Sequence, residues 1–133
     1  MGLYRFFASA RELKAYEKEC IKSDSAKLVI NEQNTLKIMV EEDLSLASDY
    51  TDKKNCACLE WNYNDQNAEI LISYIKEHLK ICPRIELWNT WIGNKKNAIV
   101  KKCSKNILTK EKIKDIWGKD SFEQPECLVV YNA

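Results

Sequence analysis

Residues 56–92, CACLEWNYNDQNAEILISYIKEHLKICPRIELWNTWI, hold the three clearest elements of the chain. From Cys56 to Tyr63 the residues alternate, with Ala57, Leu59, Trp61 and Tyr63 on one side and Cys56, Cys58, Glu60 and Asn62 on the other. Strict alternation is the mark of a strand with one buried face, and the aromatic side is the one expected to meet the core. Asn64 or Asp65 then supplies a cap for a helix running to about Ile81, because Ala68, Leu71, Ile72, Ile75 and Leu79 form an apolar stripe and Pro83 stops it. From Ile85 to Ile92 apolar residues fall on both sides, Ile85, Leu87 and Trp91 against Trp88 and Ile92, which predicts a central strand.

Towards the C-terminus, Gly93-Asn94 marks a turn into a strand over Ala98–Cys103. Thr109 can cap a helix carrying Ile113, Ile116 and Trp117, with Gly118 at its end, and a last strand covers Cys127–Tyr131. Towards the N-terminus, Leu3–Ser9 reads as a strand. Ser9 followed three residues later by Glu12 has the form of a capping box, so Leu13, Tyr16 and Cys20 are expected on a helix from near Ala10 to about Lys22. Ser23-Asp24-Ser25 then has the composition of a turn, and residues 27–31 and 35–41 have the spacing of a hairpin. Leu44 to Lys54 keeps no period and is expected to be a mobile loop with at most one helical turn.

The resulting order is β-α-β-β-β-α-β-β-α-β, which predicts an α+β fold, a mostly antiparallel sheet with about three helices packed on it. No linker or repeat divides the 133 residues, so a single domain over 1–133 is expected. Leu3–Ala10 is too short and too polar at Arg5 for a signal or membrane segment, so neither export nor a membrane partner is expected. Six cysteines without an export signal are expected to be reduced thiols of a cytoplasmic protein.

Three glycines, at 2, 93 and 118, cannot form a phosphate-cradling loop, and no cofactor is expected. His78 is the only imidazole and lies four residues before Cys82 on the same helix face. The negative end of the helix dipole there favours a protonated imidazole and disfavours a thiolate. Cys56 and Cys58 are a close thiol pair, but no second pair exists to complete a zinc site, and packing is their expected role. Glu60 and Glu86 each precede a Trp and an Asn in a strand. Facing one cleft, they would make an acidic site for a small hydrolase or transferase.

Charge is uneven along the chain: the sum is −3 through residue 66 and +4 after it. Residues 95–119 hold nine lysines against Glu111 and Asp115, and no arginine. Such a run solvates a surface, or it attracts an acidic protein or, weakly, nucleic acid. Lys101, Lys102 and Lys105 are the expected binding lysines, with Trp88 or Trp91 as an apolar anchor and Lys101 and Lys102 on opposite faces of their strand. No stretch resembles a known family. By elimination the expected function is a small non-enzymatic protein-binding module, of inhibitor or immunity type, whose partner is another cytoplasmic protein. The acidic-cleft enzyme and the weak nucleic-acid binder are the alternatives.

Overall fold

The computed structural model describes residues 2–18, 21–24, 27–30, 35–94, 96–119 and 122–132. Among these residues, nine strands and two α-helices follow one another: β1 Leu3–Ser9, β2 Tyr16–Glu17, β3 Ile21–Asp24, β4 Lys27–Ile30, β5 Leu36–Val40, β6 Asn55–Trp61, α1 Asp65–His78, β7 Arg84–Trp91, β8 Ile99–Ser104, α2 Lys110–Trp117 and β9 Glu126–Tyr131. Seven strands form one sheet in the order β2-β5-β6-β1-β7-β9-β8, and β3 pairs with β4 in a separate two-stranded ladder. All pairings are antiparallel except β8 with β9.

The stretch 56–92 folds as its pattern predicts. Asn64 caps α1 by accepting the Asn67 N–H at 2.8 Å, and Ala68, Leu71, Ile75 and Leu79 are buried. β1 inserts between β6 and β7, antiparallel to both, so β6-α1-β7 is a split β-α-β unit. β8-α2-β9 is an unsplit one, whose crossover makes β8 and β9 parallel neighbours. Thr109 caps α2, and at Gly118 a Cβ would lie 2.6 Å from the Lys114 carbonyl oxygen, so the helix end requires glycine. Gly93 holds φ of 89° in the turn after β7.

Both helices cover the same face of the sheet. There Phe7, Leu36, Ile38, Leu59, Ile85 and Leu87 meet Leu71, Ile75, Ile113 and Trp117. Trp61 points into this core, as its alternation requires, and donates its ring N–H to the Trp117 carbonyl at 3.2 Å. Tyr4, Phe6, Ala8, Cys56, Trp88 and Cys127 occupy the other face under the segment 41–54.

Two expectations fail near the N-terminus. No helix occupies 10–18; the chain runs past α1 and pairs as β2 at Tyr16–Glu17, and β3 covers part of the remaining predicted span, while Cys20 lies outside the described residues. In a helix the Lys18 N–H would bond to the Lys14 carbonyl. Instead Lys18 N–H bonds to the Leu36 carbonyl at 3.0 Å, and the Lys14 carbonyl accepts the Tyr74 hydroxyl at 2.6 Å. Tertiary partners thus take both ends of the bond the helix needs. Strands do occur at 27–30 and 36–40, but not as a hairpin with each other: β4 pairs with β3, and β5 fits between β2 and β6. Residues 31–34, the predicted hairpin loop, lie outside the described residues.

Candidate functional site

The β8-α2-β9 crossover leaves a groove of about 650 Å³ between α2 and the end of the sheet. Lys101 and Lys102 from β8 and Lys112, Lys114 and Lys119 around α2 border it, against the carboxylates of Asp115 and Glu126. Lys119 is neutralised by Glu126 at 2.8 Å, and the Lys114 ammonium sits 5.4 Å from the centre of the Tyr63 ring. Among the described residues, no ion pair engages exposed Lys101 and Lys102 or half-buried Lys112.

β8 is the last strand of the sheet. Ile99 is 42% and Val100 54% exposed, and Lys101 and Lys102 follow, both exposed. Cys103 on β8 and Leu128 on β9 belong to the helix-side core, so alternation puts Lys101 on the helix side and Lys102 on the other. Lys105 starts a one-turn 3-10 helix beyond the strand and does not border the groove. Lys95 lies outside the described residues.

Neither tryptophan serves the groove. Trp88 is core: its ring stacks on Phe6 at 5.9 Å and its N–H donates to Glu86 at 2.8 Å. Trp91 is half-buried and stacks on Phe122 at 5.6 Å. The residues that do complete the groove, Ile99, Lys112 and Glu126, were not singled out by sequence, because only the crossover brings them together.

Glu60 and Glu86 do not share a cleft. Ala8 on β1 pairs with both Glu86 and Cys56, and Glu60 lies four residues beyond Cys56. Two strand spacings across and four residues along separate their Cα atoms by roughly 16 Å, too far for two carboxylates to act on one bond. Glu86 instead accepts the Thr51 hydroxyl at 2.6 Å and the Trp88 N–H.

His78 and Cys82 are joined through a third residue. The Ser9 hydroxyl lies 2.6 Å from His78 Nε2 and 3.4 Å from Cys82 Sγ, and accepts the Arg11 N–H at 3.1 Å. Burial lowers the His78 pKa, opposite to the protonation that the helix terminus alone would favour. Burial raises the Cys82 thiol, but hydrogen bonding with Ser9 and with the backbone of Arg84, Ala10 and Arg11 outweighs it and lowers the net value. Sequence had assigned Ser9 to a helix cap and so missed this cluster. With Ser9 only 1% exposed, the arrangement satisfies buried polar groups and ties the end of β1 to the end of α1.

Cys56, Cys58, Cys103 and Cys127 have thiols pushed up by burial, and with Cys82 all five are free. Among the described residues no cluster of three or more His, Cys, Asp or Glu is placed to hold a metal, and no helix is long and apolar enough to cross a membrane. Comparison with protein-family models, curated proteins and solved structures finds no match to this chain.

Proposed function

We propose that this chain is a non-enzymatic, cytoplasmic protein-binding module, of inhibitor or immunity type, that receives an acidic partner at the groove between α2 and β8. One observation carries the reading: Lys101 and Lys112 border the groove from the helix side and Lys102 lies at its rim on the other face of β8, all three without carboxylate partners and beside exposed Ile99 and Val100. Lysines that only keep an edge strand soluble need not converge on a groove. A protein surface matches this mixture of cation and β-branched apolar side chains. A phosphate backbone offers nothing to Ile99 and Val100, and the run lacks the arginine fork suited to phosphate.

The test is a titration with polyglutamate and with duplex DNA at low and physiological salt, using the intact chain and Lys101→Glu/Lys102→Glu/Lys112→Glu. Polyglutamate should bind the intact chain, weaken with salt and lose the charge-reversed variant. Equal binding by both proteins would remove the groove from the interaction, and tighter salt-sensitive binding to DNA would replace the proposal with nucleic-acid recognition.

A further inference from the structure

We infer that the acidic partner docks as an added strand: an extended segment with two adjacent carboxylate residues beside two adjacent β-branched residues pairs its backbone with the open edge of β8, residues 99–104. The inference rests on the reading above of the basic groove as the binding face, and it specifies how that face is used.

The two edges of the sheet differ in the way that matters for strand addition. β2, at one edge, is two residues long, and the next N–H, that of Lys18, is already bonded to β5. β8, at the other, is six residues long and pairs only with β9, which leaves the backbone groups of its outer side without a ladder partner among the described residues. Long, exposed, apolar edges are the ones that template another strand. Partners that join them take affinity from main-chain bonds and specificity from alternate side chains.

The side chains of β8 define the partner's chemistry. Lys101 and Lys102 project to opposite faces, so an added strand meets one ammonium on each face; a ligand confined to one face meets one. Ile99 and Val100 repeat that arrangement with apolar side chains. Carboxylates opposite the lysines and β-branched residues opposite Ile99 and Val100 are the matching cross-strand pairs. A second copy of this chain is the wrong occupant, since pairing β8 with itself gathers four lysines along one junction, where like charges repel.

The experiment uses the full chain and two synthetic probes, a blocked (Glu-Glu-Val-Val)₂ peptide and the same peptide N-methylated at every residue. Methylation removes the backbone donors along both edges of the peptide and leaves its charge unchanged. The unmethylated peptide should bind and slow amide hydrogen exchange within residues 99–104, and methylation should weaken binding by more than about tenfold. If both peptides bind equally and exchange in β8 is unchanged, or if polyglutamate binds and the Glu-Glu-Val-Val peptide does not, strand addition is overturned while the acidic-partner reading stands. If no acidic probe binds, both fall. A concentration-dependent dimer with β8 amides protected in the absence of peptide would show that a second copy takes the edge, and would also overturn the inference.

Discussion

The two faces of the sheet are sealed by different physics. On one, α1 and α2 lay apolar stripes on the strands, and Trp117 meets Phe7 and Trp61 edge to face at 4.8 and 6.4 Å between ring centres. On the other, an irregular segment with a single 3-10 turn at Ala47–Asp49 lies over Tyr4, Phe6 and Trp88. Only Leu44, Ala47 and Tyr50 of this segment pack into the apolar cluster, and a few directed bonds complete the hold: Tyr50 to the Trp91 carbonyl at 2.9 Å, Thr51 to Glu86, and Tyr4 to Glu41. Burial by many non-directional contacts is lost gradually with volume, whereas a seal made of few hydrogen bonds depends on each donor and acceptor.

The largest effect should come from the helix-covered side. Trp61→Ala removes a buried indole and its bond to the Trp117 carbonyl and should cost about 3–5 kcal/mol, read from a denaturant midpoint shift at unchanged slope. A loss under about 1 kcal/mol would mean this face tolerates cavities and the contrast is misplaced. On the other side Thr51→Val keeps the shape and deletes the donor to Glu86, for an expected cost of about 1–2 kcal/mol. Faster amide exchange confined to 44–54 should accompany it, and global loss comparable to Trp61→Ala would show that the segment is as integral as the helices.

His78 sets a pH dependence on the helix side. Burial lowers its pKa in the fold, while in the unfolded chain it titrates near 6.5. The unfolded state therefore binds more protons between the two values, so this contribution is complete above about pH 6.5 and is lost as pH falls through the lower folded value. His78→Gln should flatten that part of the stability profile. An equally steep profile in the variant would assign the slope to other groups.

The same contrast explains what could be read from sequence. Residues 56–92 were legible because Ala57, Leu59 and Trp61 repeat every second position and Ala68, Leu71 and Ile75 every third or fourth, periods that one buried face imposes. The segment 44–54 obeys no period because it seals its face through Tyr50 and Thr51, whose partners at Trp91 and Glu86 lie far along the chain. The helix expected from Ala10 failed for the same reason: Ser9 and Glu12 fit a capping box, but the partners that displaced it, Tyr74 and Leu36, are remote in sequence. At the groove, the opposed directions of Lys101 and Lys102 followed from alternation alone. The approach of Lys101 to Lys112 across the groove did not, since it depends on the parallel placement of β8 beside β9.

The smallest effect on stability, and the one that decides most about function, belongs where the two faces end. Lys101→Glu and Lys102→Glu exchange exposed charges at the sheet edge, and Lys105→Glu exchanges a half-buried one beyond it that takes part in no ion pair among the described residues, so each should shift stability by less than about 0.5 kcal/mol. Association with an acidic peptide separates them. Lys105→Glu, away from the groove, should slow association least. Equal slowing by the Lys101 and Lys102 substitutions is expected of a partner reaching both faces, as an added strand does, because each lysine then loses one cross-strand carboxylate. Slowing by Lys101→Glu alone would confine the ligand to the helix-covered side, and no slowing by either would reduce both lysines to protection of an open edge, where their like charge keeps other copies of the chain from pairing with the unpaired backbone.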